Sequence, residues 1–208
     1  VKSCCVSQTV SFLFRLDPAM TDQVTFDVDH SRSSLKVYTY KTGMLSAMGH
    51  DLQLSVEGYN CQVERMADGG YQLTVTVDAR AITCDGAVDG QGQLSALGGW
   101  ASSEILKNMR GPYVLNTERY PTVTYMGKVQ RSTPDGTSQI IGELQLCGER
   151  RPLELSSTAV EDADGVKFEG EVEIAQTNWG ITPFSTMMGA IALKDNLRVV
   201  WSTCCKRR

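Results

Sequence analysis

The sequence predicts an all-β domain in which antiparallel strands close into a barrel or stack into a sandwich, with one short helix. Apolar and polar residues alternate along most of the 208-residue chain, which is the pattern of strands that bury one face and expose the other. Short turn signals separate these runs and indicate hairpins, whose strands are antiparallel. A sheet with one apolar face must close or stack to bury that face, which favours a barrel or a sandwich.

Six alternating runs place apolar side chains on one face of a predicted strand. In chain order these faces carry Leu35, Val37 and Thr39; Leu52, Leu54 and Val56; Tyr71, Leu73, Val75 and Val77; Ile140, Gly142, Leu144 and Leu146; Val166, Phe168, Val172 and Ile174; and Leu197, Val199 and Trp201. The turn signals are Asp68-Gly69-Gly70, Pro134-Asp135-Gly136, Asp164-Gly165 and Lys194-Asp195-Asn196.

One segment breaks the period of two. Residues 84–101 hold five glycines at a spacing that does not match a phosphate-binding loop, and we expect a flexible loop there. A short helix is predicted after this loop, because Ser102 or Ser103 can cap its start and Gly111-Pro112 would end it. Its apolar stripe consists of Ile105, Leu106 and Met109.

The composition argues against several classes of protein. The chain has 24 acidic and 20 basic residues and a net charge of −4, so we expect no broad basic surface for nucleic acid. No run of about 18 apolar residues is present, so we expect no integral membrane segment. The two histidines, His30 and His50, are too few for a three-histidine metal site, and we expect neither a metal nor another cofactor.

The chain divides into three predicted parts. Residues 1–19 precede Met20 and read as a non-native or disordered leader, because their apolar stretch is too short for a secretory signal. Residues 20–203 form the predicted barrel domain, and the basic tail at residues 204–208 is expected to fray. We expect the protein in the cytoplasm; the periplasm is the alternative if residues 1–19 belong to a truncated export signal.

The seven cysteines form no CxxC pair and match no zinc-ligand spacing. Four lie in the predicted tails and three in the body: Cys4, Cys5, Cys204 and Cys205, and then Cys61, Cys84 and Cys147. Three body cysteines cannot all pair with one another. We therefore interpret them as buried or half-buried thiols in a reducing compartment rather than as a disulfide framework.

Four stretches of the sequence resemble the YceI-like family of lipid- and polyisoprenoid-binding proteins. They are VDHSRSSLKV, ILKNMRGPYVLNTERYPTVTY, GELQLCGERRPLELS and NWGITPF, followed by a closing strand. In order and spacing they cover roughly residues 24–201, and the second and third stretches together are fairly specific. The resemblance implies an extended antiparallel eight-stranded, lipocalin-like β-barrel with one short helix and a long apolar interior. It also implies an isoprenoid or another long-chain lipid as the partner.

One departure from the family pattern bears on the site. Cys147 stands in the Leu-Cys-Gly turn, where the family usually has histidine. This exchange bears on the identity of the ligand more than on the fold.

The inward apolar side chains of the alternating runs are the candidate ligand-binding residues. They are Leu35, Val37, Leu54, Leu73, Val75, Leu144, Leu146, Val172, Ile174 and Val199. Such side chains either fill an eight-stranded barrel or line a hollow one, and the residues alone do not decide between the two. The resemblance to the family favours a hollow interior.

Six further residues are candidates for the mouth of the barrel or for a ligand head group: His30, His50, Arg151, Trp179, Phe184 and Met187. His30 either contacts a head group or bonds to the backbone in a turn. Arg151 is either a partner for a phosphate or carboxylate or an exposed hairpin charge. Trp179, Phe184 and Met187 form an apolar loop patch, which is either a lid, since methionine adapts to varied ligands, or packing against the barrel end.

We expect a non-enzymatic protein that binds, and transports or stores, a long apolar ligand such as a polyisoprenoid or a fatty-acyl lipid. One alternative is an enzyme that acts on an apolar substrate at the barrel mouth through His30 or His50. Adjacent strand residues point to opposite faces, so His50 and Asp51 do not form a local dyad. The other alternative is a structural barrel filled by its own side chains. The sequence also leaves a homodimer open.

Overall fold

The protein is described by a computed structural model that covers residues 26–66, 71–133, 136–162 and 165–207. The predicted leader at residues 1–19 lies outside these ranges. So do the turn residues Asp68, Gly69, Gly70, Pro134, Asp135 and Asp164.

Strands account for most of the described residues, and one α-helix interrupts them. In chain order the elements are β1 (Phe26–Val28), β2 (Ser34–Thr39), β3 (Lys41–Thr42), β4 (Asp51–Val56), β5 (Tyr59–Arg65), β6 (Tyr71–Asp78), β7 (Ile82–Val88), β8 (Leu94–Ser95), α1 (Gly99–Arg110), β9 (Thr122–Ser132), β10 (Thr137–Leu146), β11 (Glu149–Asp162), β12 (Gly165–Ala175), β13 (Ser185–Thr186), β14 (Ile191–Leu193) and β15 (Asn196–Arg207). The predicted all-β class with one short helix is confirmed.

The predicted count of eight strands is too low. Ten of the strands in the described residues have six or more residues, and five are shorter. Strand β7 lies largely in the glycine-rich segment that was predicted to be a loop. The shortest strands have two or three residues, which is too few for an alternating pattern to show in the sequence.

The main sheet is antiparallel throughout and curls around an apolar interior. Its strand order is β5-β6-β9-β10-β11-β12-β15-β2-β4-β7-β8, and β1 pairs with the far end of β15. Strand β1 also packs against the edge strand β5, which brings the two sides of the curled sheet together. A second, three-stranded sheet has the order β13-β14-β3.

The strand register aligns inward side chains into continuous rows. Val172 of β12 is the direct partner of Val199 on β15, Val199 of Val37 on β2, and Val37 of Leu54 on β4. Directly opposite residues of antiparallel strands share a face of the sheet. The four aliphatic side chains therefore form one band across the inner wall.

Tyr125 lies along this wall because two neighbouring glycines leave room for its ring. Gly127 of β9 and Gly142 of β10 are direct partners. A Cβ atom on Gly127 would lie 2.7 Å from the Tyr125 hydroxyl, and one on Gly142 would lie 2.6 Å from it. The hydroxyl group hydrogen-bonds to the carbonyl oxygens of Ile140 and Leu153, at 3.3 and 3.2 Å. The ring is thus directed over β10 towards β11 rather than into the centre of the barrel.

Trp201 repeats this arrangement on β15. Its direct partner on β12 is Gly170, and a Cβ atom there would lie 2.8 Å from Cε2 of the indole. The indole Nε1 donates a hydrogen bond to Ser157 Oγ of β11 at 3.3 Å. Both aromatic rings therefore lie over glycines and are fixed by hydrogen bonds to β11.

Helix α1 differs from the prediction at its start and agrees with it at its end. It begins at Gly99 with Gly98 as the N-cap residue. Ser103 lies inside the helix and donates its hydroxyl proton to the Gly99 carbonyl at 2.9 Å, so it does not cap the start. The helix ends before Gly111, as predicted. No helix within the described residues is long and apolar enough to cross a membrane.

The structure corrects the prediction of a frayed C-terminal tail. Strand β15 continues to Arg207, and its last three residues pair with β1. The Lys206 ammonium group lies 2.8 Å from the Asp29 carboxylate. This ammonium group and the Ser31 hydroxyl hold the pKa of Asp29 at about 2. No local pattern in the sequence predicts this pairing, because β1 and β15 lie near opposite ends of the chain.

We expect Gly142→Ala to lower the free energy of unfolding by about 1–3 kcal/mol, the usual cost of overpacking a close-packed wall. The added methyl group would have to displace the Tyr125 hydroxyl and the Gly127 Cα atom, each 2.6 Å away. Urea unfolding of the full chain, followed by circular dichroism, measures this cost.

Gly90→Ala is the matched control, because no heavy atom of the described residues lies within 4 Å of a Cβ atom there. This variant should change the free energy of unfolding far less than Gly142→Ala. Equal losses in the two variants would mean that the Tyr125 ring does not require the glycines beneath it.

Candidate ligand-binding cavity

The curled sheet encloses a cavity of about 790 Å³. Its lining is almost entirely aliphatic and aromatic, and it comes from both long and short strands and from α1. The side chains of the barrel therefore do not fill its interior. A volume of roughly 300–1,000 Å³ is typical of pockets that hold small molecules.

All ten predicted interior residues line this cavity. They are Leu35, Val37, Leu54, Leu73, Val75, Leu144, Leu146, Val172, Ile174 and Val199. The simple alternation of apolar residues placed each of them on the correct face. Whether they bind a ligand remains a prediction.

Strands β9 and β11 form a large part of the wall that was not predicted from the sequence. Val123, Tyr125 and Val129 of β9 line the cavity, as do Leu153 and Leu155 of β11. The signal was present, because these residues also follow a period of two.

The mouth of the cavity is marked by side chains that both line it and reach solvent. Trp100 is 80% exposed, Met48 is 68% exposed and Phe184 is 37% exposed, and all three border the cavity. His50 is exposed and also borders it. The predicted mouth positions of His50 and Phe184 therefore fall on the cavity itself.

Two loops beside the mouth are joined by the backbone. The Leu45 amide donates a hydrogen bond to the Ala190 carbonyl at 2.8 Å. Met187 belongs to the second loop and is 59% exposed, but it does not line the cavity. It lies next to the mouth rather than in it.

Helix α1 covers part of the cavity with one face. Ala101, Ile105 and Met109 recur at a spacing of four and line the cavity, since residues four apart lie on one side of a helix. Glu104 and Asn108 border the cavity beside them. Of the predicted apolar stripe, Ile105 and Met109 line the cavity, whereas Leu106 does not.

Besides Met187, three more of the predicted mouth residues do not line this cavity. His30 packs edge-on against the Tyr59 ring, with the ring centroids 5.3 Å apart. Arg151 is exposed and pairs with Glu149 at 3.3 Å. Trp179 is buried, with 3% of its surface exposed, and its Nε1 donates to the Leu144 carbonyl at 3.0 Å.

The burial of Trp179 makes it part of the core rather than of a lid. It packs with Leu144, Ile174 and Tyr125 in one apolar cluster. The loop patch was expected to be either a lid or part of the packing against the barrel. Trp179 packs against the barrel, whereas Phe184 borders the opening of the cavity.

Charge is sparse around the cavity. Among the described residues that line it, Lys41 and Glu104 carry full charges, and the Lys41 Nζ donates to the Gly49 carbonyl at 3.2 Å. Within the described part of the chain, no group of three His, Cys, Asp or Glu side chains is arranged to hold a metal ion. The cavity thus presents an apolar surface with few polar contacts.

The two tyrosines in the wall are neutral at ordinary pH. Burial raises the pKa of Tyr125 to about 12. Burial also raises the pKa of Tyr59, whose hydroxyl group lies 3.4 Å from Thr203 Oγ1. Neither phenol is therefore suited to accept a proton as a general base.

Cys147 occupies a strained turn outside the cavity. It has φ 50°, and Gly148 after it has φ 83°, which is the conformation of a two-residue hairpin turn. The thiol donates to the Val114 carbonyl at 3.3 Å, and burial raises its pKa to about 11. This thiol is therefore protonated at neutral pH and ties the β10–β11 turn to the segment after α1.

A family model for the YceI-like domain matches residues 14–202. The chain belongs to the YceI-like family. The match confirms the resemblance that four stretches of the sequence indicate. A search of curated proteins found no match for this YceI-like chain.

Solved structures of YceI-like proteins share the fold. BcnA from Burkholderia cenocepacia superposes with a TM-score of 0.63 at 14% identity, covering 85% of this chain and 98% of BcnA. The Campylobacter jejuni YceI protein gives a TM-score of 0.52 at 12% identity, covering 74% of this chain and 84% of that protein. A mutant of that protein with a monobromobimane guest gives 0.53 at the same identity and coverage. At these identities the likeness establishes the fold alone.

The raised pKa of Tyr125 predicts a loss of stability in alkali. The unfolded phenol ionises near pH 10, whereas the folded one keeps its proton up to about pH 12. The contribution of Tyr125 to the free energy of unfolding is therefore complete below pH 10 and falls as the pH rises towards 12.

Urea unfolding at several pH values between 9 and about 12, on the wild type and on Tyr125→Phe, measures this contribution as the difference between the two proteins. The wild type should lose its advantage over the variant as the pH rises, since phenylalanine has no proton to lose. A difference that stays constant across this range would show that the phenol is not shielded in the wall.

Proposed function

We propose that this YceI-like protein is a non-enzymatic binding protein that holds a long apolar molecule, such as a polyisoprenoid or a fatty-acyl lipid, for transport or storage. The observation that carries the proposal is the apolar cavity of about 790 Å³. Membership of the YceI-like family supports the proposal, because the sequence resembles the lipid- and polyisoprenoid-binding proteins of that family.

The energetics of such a cavity favour an alkyl chain. Burying one CH₂ group contributes about 0.8 kcal/mol, so a tail of ten such groups contributes about 8 kcal/mol. Part of this energy offsets the loss of translational freedom and the ordering of the chain. Binding therefore requires no specific head-group contact, and the length and width of the apolar chain should govern affinity.

The position of the mouth supports entry of the chain with its polar end left outside. Trp100, Met48 and Phe184 provide an apolar rim, while Lys41 and His50 border the same opening. A polar head group left at this rim stays in contact with water. The apolar tail then occupies the space beside Tyr125.

The tyrosines of the wall support binding rather than catalysis. Tyr125 keeps its proton and uses its hydroxyl group to hold the wall together. His30 packs against Tyr59 and does not itself line the cavity. His50 is the histidine that an enzyme acting at this mouth would have available.

Extraction of the purified full-length chain with organic solvent, followed by mass spectrometry, tests the proposal. We expect a long-chain apolar compound, in an amount that approaches one molecule per chain. A protein that yields no apolar compound and also fails to take up a fluorescent fatty acid would contradict the proposal.

Val172→Trp should weaken binding of a fluorescent fatty acid by at least about tenfold, which corresponds to about 1.4 kcal/mol. Val172 lines the cavity, and an indole at this position would occupy volume that the alkyl chain needs. Fluorescence titration of the purified full-length protein gives the dissociation constant.

Glu173→Trp is the matched control on the same strand. Glu173 is the next residue, is exposed and does not line the cavity, because neighbouring strand residues point to opposite faces. Its affinity should stay close to that of the wild type. Equal weakening in both variants would mean that the fatty acid binds outside the barrel.

A further inference from the structure

Two loops at one end of the small three-stranded sheet present apolar side chains to solvent. The first loop joins β3 to β4, and the second joins β13 to β14. Met44 in the first loop is 94% exposed, and Met188 in the second is fully exposed. We call the exposed apolar side chains of these two loops the methionine tip; they are Met44, Leu45, Met48, Met187 and Met188.

The backbone holds the two loops side by side. Strands β3 and β14 are antiparallel neighbours, so the end of β3 lies beside the start of β14. The Leu45 amide donates a hydrogen bond to the Ala190 carbonyl at 2.8 Å. Gly43 has φ 100°, and a Cβ atom on it would lie 2.5 Å from the same carbonyl oxygen. Glycine permits this close approach, and the two loops therefore form one surface.

The second loop keeps a backbone conformation that costs free energy. Met187 has φ 51° and Met188 has φ 55°, which lie in the left-handed region that residues with a side chain rarely adopt. Both side chains are exposed, so burial does not compensate for this cost. Strained backbone clusters at functional sites, and exposed apolar patches mark interaction surfaces. The methionine tip has both features.

The methionine tip is uncharged, and two cations stand at its base. Residues 42–49 and 181–193 contain no Asp, Glu, Lys or Arg. Lys41 directly precedes the first of these segments, and Lys194 directly follows the second. Lys41 is the direct strand partner of Leu193, so the two lysines lie close together where both loops leave the sheet.

The contacts of these lysines leave their charges in place. Lys41 Nζ donates to the Gly49 carbonyl at 3.2 Å, and Lys194 Nζ lies 5.9 Å from the centre of the Tyr40 ring. The nearby Asp51 carboxylate accepts a hydrogen bond from the backbone amide of Lys41 at 2.7 Å. Both ammonium groups thus have an uncharged partner and remain able to attract an anion.

The methionine tip is continuous with the mouth of the cavity. Met48 belongs to the tip and also lines the cavity, as does Phe184. Trp100 is exposed and borders the same opening from α1. A molecule that enters or leaves the cavity at this mouth therefore passes an apolar surface.

A lipid bilayer matches this arrangement at each depth. Apolar side chains insert at the boundary of the acyl chains, aromatic rings lie among the head groups, and lysines attract anionic lipids. The methionine tip supplies the first group, Trp100 and Tyr40 the second, and the two lysines at its base the third. A long apolar molecule also dissolves in a bilayer rather than in water. A mouth placed against the bilayer would let such a molecule enter the cavity without crossing water.

We propose that the methionine tip docks on a bilayer that carries anionic head groups, with the mouth of the cavity facing the lipid. The bilayer is then the source of the apolar ligand, and this part rests on the function proposed above. Docking itself is measured without any transfer of ligand. A failure of docking would therefore leave the binding function intact, and a cavity that takes up no apolar chain would leave the docking surface intact.

Flotation of the purified full-length chain with lipid vesicles tests the docking. Vesicles of phosphatidylcholine alone are compared with vesicles of phosphatidylcholine and phosphatidylglycerol. We expect binding to the mixed vesicles to be stronger by at least about tenfold, because each lysine near an anionic surface adds roughly fivefold. No binding to the mixed vesicles, or equal binding to both kinds, would overturn the proposal.

Met44→Asp combined with Met188→Asp should weaken binding to the mixed vesicles by at least about tenfold, since even one methionine that is no longer buried accounts for such a loss. Both side chains are exposed, and aspartate tolerates the left-handed conformation at position 188. The double variant should therefore keep the thermal unfolding midpoint of the wild type. Binding that survives both substitutions would place the membrane contact elsewhere in the chain and overturn the proposal.

Val160→Asp is the matched control. Val160 is 57% exposed and lies on β11, outside both loops, so this variant should bind the mixed vesicles as the wild type does. Equal weakening in the control and in the double variant would mean that added negative charge, rather than the methionine tip, governs binding. A dimer that the wild type forms without vesicles and the double variant loses would show that a second copy covers the tip. Either result would overturn the proposal.

Discussion

The open interior depends on how two aromatic rings rest against glycines in the barrel wall. Tyr125 passes over Gly142 to reach the Leu153 carbonyl, and Trp201 lies beside Gly170 and donates to Ser157. Both hydrogen bonds end on β11, which they approach from β9 on one side and from β15 on the other. Each ring thereby spans an intervening strand and strengthens the curl of the sheet. Rings held along the wall leave the centre of the barrel open.

One row of the wall preserves this space because its side chains are short. The row formed by Val172, Val199, Val37 and Leu54 crosses four strands, and none of these side chains is long enough to fill the centre of the barrel. Trp179 adds bulk without intruding, since its indole is buried in the wall and bound to the Leu144 carbonyl. The result is a cavity with a large apolar surface.

Much of the fold and of the cavity could be predicted from local pattern. Alternation alone assigned residues such as Val37, Val75 and Ile174 to the inner face, because a period of two fixes the face of every residue in a strand. The pairing of Gly127 with Gly142 could not be predicted from alternation, because it depends on the register between β9 and β10. The C-terminal residues through Arg207 were misjudged for the same reason, since they pair with β1 from the other end of the chain and with β12. Local patterns show which face of a strand each residue occupies. The closure of the barrel and the volume of its cavity depend on contacts between distant segments.

The central claim is that an alkyl chain occupies the interior beside Tyr125 and Trp201. The most direct measurement is anomalous X-ray diffraction from crystals of the full-length protein grown with a fatty acid that carries bromine at the end of its chain. We expect a bromine peak inside the barrel, surrounded by residues of the inner wall such as Val172, Val199 and Leu54. A bromine peak confined to the outer surface, with an interior that holds no chain, would contradict it.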